Sequence, residues 1–226
     1  NLDRIAQQRE EAAAEGVELE MMHIPMPESI TFADDTRRDR DLDTLCTWVE
    51  AAGKAGLRGL NYNFTVVGYQ RTPNRYGRGG SIYSSFEFTK YDNDEPHPGG
   101  RIDRDEIFAR IAYFLERVIP VAEEYKVQMA SHLPDPPAPE LRGEVRWNYP
   151  VFDGLKRFSE LTDSPYHGFN FCCGVAAEGL EDPGSELPPI VEYFSERKKI
   201  FNVHFRNIKG GLGDFVEVWP DEGDVD

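Results

Sequence analysis

Four segments of this chain, each about the length of one strand, carry polar side chains on one face and apolar side chains on the other. In "LNYNF", Asn61 and Asn63 lie opposite Leu60, Tyr62 and Phe64. In "VQMASH", Gln128, Ala130 and His132 lie opposite Val127, Met129 and Ser131. In "GFNFCC", Gly168, Asn170 and Cys172 lie opposite Phe169, Phe171 and Cys173. In "IFNVHFR", Ile200, Asn202, His204 and Arg206 lie opposite Phe201, Val203 and Phe205. These faces follow from the alternation of side chains along a strand. Helix-like segments separate the strands, an order that predicts a parallel sheet of βαβ units. An open parallel sheet is covered on both faces and reads as near-continuous apolar runs. A closed barrel packs its outer face on helices and keeps polar side chains inside, near the C-terminal rim. The predicted fold class is therefore α/β, a (β/α)8 TIM-type barrel. With about five clear strands against the eight of a full barrel, it is expected to be incomplete in this chain.

Between these strands, "NLDRIAQQREEAAAEG" reads as a helix ended by Gly16, and "DRDLDTLCTWVEAAGKAG" as one stopped by Gly56. "VELEMMHI" lies between them as a strand. "DRDEIFARIAYFLERVIPVAEEY" is the longest helix, with Asp103 as its N-cap. "VFDGLKRFSELT" and "LPPIVEYFSERK" are further helices, and "KIFNVHFRNI" reads as one continuous strand. The Gly/Arg/Tyr/Pro-rich stretch from Thr65 to Gly100 reads as a long connection without structure, a flexible lid in its simplest interpretation. Within it, "NRYGRGGSIYSS" resembles a glycine-rich phosphate loop only loosely and does not open a helix at the required spacing, which argues against a P-loop or dinucleotide site. The length suits one core, and residues 1–226 are expected to form a single barrel domain.

The formal net charge is −16, from 41 acidic and 25 basic residues. Such a surface repels nucleic acid and anionic membranes, and an anionic substrate would need a local cation. No apolar run reaches the length of a membrane span, and no secretory signal is read. Three cysteines make an odd count and no disulfide framework, so a reducing, cytoplasmic location is expected. A homodimer is the base-rate expectation. The chain starts at Asn1 inside a helical pattern and stops at Asp226 without a closing element, so it is expected to be part of a longer protein.

Stacking the polar faces brings out a constellation. His132, Cys172 and His204 each sit at the C-terminal end of a different strand and project to the same side. Imidazole and thiolate together suit Fe(II), Zn(II), or Mn(II) with added carboxylate. Most such ions take a fourth protein ligand or water, and Asp135, Glu217 and Asp224 are the nearest acids in sequence. A single buried histidine or cysteine is more often plain core. Cys173, on the Phe169 and Phe171 side, reads that way, and His167 reads as structural. Three ligand-type residues at three strand ends are harder to explain by packing. Arg71 and Arg206 are the candidates to grip an anionic substrate, since arginine can hold a carboxylate with two bonds. The alternative role of Arg206 is an ion pair with an acid such as Glu217. Arg75 and Arg78 read as surface charges, and His23 and His97 have no evident partners.

The segments "MASHLPDPP", "GFNFCCG", "KIFNVHFRNIKGG" and "FVEVWPDEGDVD", with "GLNYNF" and "RGGSIYSSF", resemble mannonate dehydratase and its relatives, from Val17 to Asp226. The resemblance implies a xylose-isomerase-like barrel and a hydro-lyase that uses Mn(II) or Fe(II). It would convert D-mannonate to 2-keto-3-deoxy-D-gluconate in hexuronate breakdown. The implied ligands are His, Cys, His and Asp, of which the first three fall on His132, Cys172 and His204. The fourth ligand and an acid/base histidine belong to a Pro-Asp-His segment, followed by a catalytic tyrosine. All of these are expected beyond Asp226, and the family's opening strand before Asn1. Two departures mark a divergent branch. Where many relatives have "HPDDPP", this chain has His132-Leu133-Pro134-Asp135-Pro136-Pro137. Where many have Asp-Trp, it has Gly68-Tyr69, with Arg71 still aligned.

The expected activity is therefore metal-dependent dehydration of a small sugar acid, with Arg71 and Arg206 orienting the carboxylate beside Asn63 and Asn170. One alternative is a sugar isomerase or epimerase on the same barrel, which typically uses more carboxylate ligands. Another is a non-catalytic sugar-acid or metal-binding relative.

Overall fold

Helix and strand alternate along most of the chain in its computed structural model, which describes residues 2–225. Asn1 and Asp226, on which the expectations about the chain's ends rest, lie outside the described residues. The order is α1 (Leu2–Ala14), β1 (Met21–His23), α2 (Glu28–Thr31), α3 (Arg38–Lys54), β2 (Gly59–Asn63), β3 (Thr72–Tyr76) and β4 (Ile82–Glu87). Then come α4 (Arg104–Tyr125), β5 (Gln128–His132), α5 (Val151–Ser159), β6 (His167–Cys172), α6 (Cys173–Glu178), α7 (Pro183–Glu196), β7 (Ile200–His204), β8 (Asn207–Gly211) and β9 (Asp214–Val218).

One sheet is parallel, in the order β1-β2-β5-β6-β7. The strands of this sheet lie in chain order, with helices as crossovers and the β3–β4 segment inserted between β2 and α4, and the result is an incomplete (β/α)8 barrel. The expected helix signals operate. Gly16 and Gly56 end α1 and α3 with φ of +76° and +77°, a region open to glycine at no steric cost. Asp103 caps α4 by accepting the Glu106 N–H at 2.9 Å. The buried stripe of α4 (Ile107, Ile111, Phe114, Val118 and Ala122 among its members) recurs every three or four residues. It lies over the apolar face of β2, with the Phe114 ring 5.1 Å from Tyr62 and 5.7 Å from Phe64. Met129, Phe169 and Phe171 are buried on the same outer side.

Three expectations need correction. Residues 65–100 are not a structureless lid. They contain the β3–β4 hairpin, which joins β9 and β8 in an antiparallel sheet of order β3-β4-β9-β8. On its other edge β4 pairs with β9, about 130 residues later, so no local pattern marks this sheet. The segment "KIFNVHFRNI" is not one strand. It leaves the parallel sheet after His204 and re-enters the second sheet at Asn207, because the Arg206 side chain is drawn into the charge cluster described below. Finally, Val203 and Phe205 were placed on a helix-covered face, yet they are 56% and 55% exposed. β7 is the last strand of its sheet, and no described helix closes over that part of it.

Candidate metal centre

The parallel register explains how three distant residues meet. Asn63 pairs with His132, His132 with Asn170, Asn170 with Asn202, and Cys172 with His204. The polar ends of four adjacent strands therefore form one surface. Single donor atoms of His132, Cys172 and His204 all lie within 4.8 Å of one another. Each is held by its neighbours. The carbonyl oxygen of Leu133 can only accept, so His132 carries its proton on Nδ1 and donates it there at 2.8 Å. His132 Nε2 then faces His204 Nδ1 at hydrogen-bonding distance, 3.3 Å. Cys172 is fully buried at the head of α6, where its Sγ accepts the Val175 N–H at 3.4 Å.

This donor set fits a divalent ion. Two donors bonded to one ion at about 2.1–2.3 Å can be no more than about 4.5 Å apart, so the observed spacing needs little adjustment. The orienting bond from His132 to a backbone carbonyl is the kind of support that metal-bound histidines use. A cavity of about 370 Å³ opens over the two imidazoles, lined by His23, Asn61, Asn63, Asn170, Asn202 and Val203 besides them. Among the described residues no lysine or arginine lines it, so no resident cation stands over the two imidazoles, whereas Cys172, beneath the cavity, lies within the electrostatic reach of Arg206. Asn202 Nδ2 donates to Asn170 Oδ1 at 2.8 Å, which fixes both amides.

A second trio lies close by in the chain. Carboxylate oxygens of Asp135, Glu178 and Glu217 also lie within 4.8 Å of one another. Here the cationic places are filled. Arg206 Nη1 donates to Asp135 at 2.9 Å and to Glu217 at 3.2 Å, and its Nη2 to Glu178. Arg71 bonds the same three acids, with Nη2 at 3.0 Å from Asp135 and 3.4 Å from Glu178, and Nε at 3.2 Å from Glu217. Burial opposes the charge of Asp135, but Arg71 and Arg206 outweigh it and keep its pKa below the usual carboxylate value. Glu178 is fully buried. Burial first, and then the charge of Asp135, pushes its pKa well above the usual value. Asp135 and Glu217, named as the nearest possible further ligands, thus belong to this cluster, and Asp224 instead accepts the Gly210 N–H at 2.9 Å. Arg71 and Arg206 likewise face carboxylates of this chain rather than the cavity, and the Glu217 ion pair is the alternative read for Arg206.

Residues 97–226, over half of the chain, match the family model for D-mannonate dehydratase (UxuA). The chain belongs to this family. It is similar to a mannonate dehydratase of Shouchella clausii (strain KSM-K16), with 28% identity across 96% of this chain and 68% of the relative. The crystal structure of mannonate dehydratase from Streptococcus suis serotype2 superposes with a TM-score of 0.88 at 26% identity, covering 100% of this chain and 67% of that one. A xylose isomerase domain protein from Planctomyces limnophilus superposes at 0.57 with 12% identity over 100% of this chain and 67% of its own, which shows the barrel fold alone. The chain spans about two thirds of the length of these mannonate dehydratases. Among its described residues no helix is long and apolar enough to cross a membrane.

Other residues named from the sequence fall outside the centre. Cys173 is not on the far face of the strand, because β6 ends at Cys172 and Cys173 opens α6. It is 8% exposed, and burial pushes its thiol pKa up, with Cys172 adding to the effect. His167 is buried at the start of β6, donates from Nε2 to the Phe158 carbonyl at 2.8 Å, and is driven down to a pKa of about 4 by burial. Arg78 pairs with Asp221 at 2.7 Å, and Arg75 with Glu87 at 3.3 Å. His97 has a partner after all, stacking on Phe32 at 5.2 Å. Sequence reasoning passed over two residues. His23 ends β1, opposite Asn61, and so reaches the cavity; β1 is too short to show alternation. Glu178 carries no pattern that foretells its burial.

Proposed function

We propose that this protein is a metal-dependent hydro-lyase of sugar acids, acting on D-mannonate to release water and 2-keto-3-deoxy-D-gluconate. The observation that carries the reading is the convergence of His132, Cys172 and His204 on neighbouring strand ends in a chain of this family. These three residues would hold the ion, Mn(II) or Fe(II) in this proposal. When bound, a divalent ion supplies Lewis-acid stabilisation of the negative charge that builds up when a proton is lost beside a carboxylate. The fixed amides of Asn170 and Asn202, with Asn63, offer donors and acceptors to the hydroxyls of a polyol chain. Any carboxylate gripped by Arg71 or Arg206 has to compete with Asp135, Glu178 and Glu217, so the cavity amides are the readier contacts. Dehydration also needs a base for the C2 proton and an acid for the departing C3 hydroxyl. The resemblance assigns those to segments beyond Asp226. A cytoplasmic location, one barrel domain and a homodimer complete the proposal.

The test is metal analysis together with a 2-keto-acid assay on D-mannonate. Bound Mn(II) or Fe(II) that is lost in His204→Ala, along with product formation, supports the reading. Absence of metal, with activity untouched by His204→Ala, sinks it. Aldose and ketose substrates in the same panel separate dehydration from isomerisation.

A further inference from the structure

We propose that Arg71 is a positioning residue for the His132–Cys172–His204 centre, and that the antiparallel sheet serves as the jig that holds it. The inference rests on the metal reading above but concerns residues outside the donor set.

Each ligand has a member of the charge cluster tied to it through a short piece of chain. Asp135 follows His132 by three residues. Glu178 ends α6, the helix that Cys172 caps. Arg206 follows His204 by two residues. The cluster therefore joins the three strand ends that carry the donors. Arg71 comes from none of these strands, and it binds all three acids. It is anchored on the second sheet by Ser84 Oγ at 3.0 Å, by Glu217 of β9, and by the Phe215 ring at 5.1 Å. On the other side, α6 packs against Arg206 without slack. A Cβ on Gly174 would lie 2.5 Å from Arg206 Nε and 3.0 Å from its carbonyl oxygen. A planar guanidinium with a fixed fork suits such a joint, because it holds several carboxylates at set angles. An ammonium keeps the charge but not the fork.

This difference makes the role measurable with Co(II) as the probe and no substrate present. Arg71→Lys keeps the net charge, so any change in Co(II) affinity is geometric. The expected result is a dissociation constant raised about tenfold, in the range found for groups that support metal ligands, with a weaker thiolate-to-Co(II) charge-transfer band. Arg71→Met is the second variant. Removing a positive charge near the centre should tighten Co(II) binding by electrostatics alone, whereas loss of positioning weakens it. Glu144→Gln is the control for general loosening. Glu144 is also fully buried, but its carboxylate holds the backbone N–H groups of Val66 and Val67, at 3.1 and 2.7 Å, and Arg146 at 3.0 Å, and it bonds neither Arg71 nor Arg206; its one link to the cluster is at second hand, through Arg146 to the Asp135 backbone carbonyl. Its Co(II) affinity should stay within about twofold of the parent even though its melting temperature drops.

Unchanged or tighter Co(II) binding in both Arg71 variants overturns the proposal, and so does equal weakening by Glu144→Gln. If the parent protein shows no Co(II) band that depends on Cys172, the metal reading falls and this inference falls with it. A normal parent with unaffected Arg71 variants defeats the positioning role alone.

Discussion

Two trios in this chain have equal claims by distance and opposite characters. His132, Cys172 and His204 offer donor atoms within 4.8 Å of one another, and so do Asp135, Glu178 and Glu217. The two imidazoles of the first face a cavity that no lysine or arginine lines among the described residues. The second encloses two guanidiniums that occupy the positions a metal ion would take. Proximity of ligand-type residues therefore does not define a metal site. What decides is which cation the surrounding chain has already supplied.

The comparison can be tested from its largest expected effect downwards. Arg71→Met leaves buried carboxylates with one guanidinium, so chemical unfolding should show a loss of about 3–5 kcal/mol. A loss below about 1 kcal/mol would mean that the second trio is solvated in practice and that its contrast with the first is only apparent. A histidine in neither trio supplies the next test. The folded-state pKa of His167 is lowered from 6.5 to about 4 by burial. A lowered histidine contributes its full stability above about pH 6.5 and loses it as pH falls toward about 4, with no further change below. The loss should be about 3 kcal/mol, read from unfolding curves across that window. His167→Asn should remove that part of the slope, and an unchanged slope would show that burial does not set the behaviour of histidines here.

The third test lies within the first trio. Cys172→Ser replaces a soft donor by a poor one and should weaken Co(II) or Mn(II) binding about 100-fold, about 2.7 kcal/mol, by metal titration. Cys173→Ser, one residue on, is the smallest effect, about twofold or less in the same titration. Equal effects from the two serines would overturn the separation of the cysteines.

The first trio was legible in the sequence because its members obey strand alternation. His132, Cys172 and His204 fall on the polar side of segments whose other side is Met129, Phe169, Phe171 and Val203. The inference needed only a period of two and the parallel order of the strands. The second trio was legible only in its Arg206–Glu217 pair. Its acids and arginines come from five separated segments, and no pattern brings Asp135, Glu178 and Arg71 to the same place. The antiparallel sheet stayed hidden for the same reason, since β4 pairs with β9 across most of the sequence. The break after His204 was missed because Phe205 continues the alternation, while Arg206, just past the end of the strand, bonds Asp135, Glu178 and Glu217. His23 was set aside for want of partners that the sheet register supplies.

Gly174 has a consequence for how such a chain can drift. Its two neighbours in "CCGV" are a buried thiol and a core valine, which a lineage could exchange for residues of similar bulk at modest cost. Gly174 itself has no such latitude, because one added methyl group would push α6 away from Arg206. A silent-looking glycine, which touches no ion and carries no charge, would then open the gap between the thiol and the imidazoles. Loss of metal binding in a relative could therefore begin at a position that an inventory of ligands would pass over.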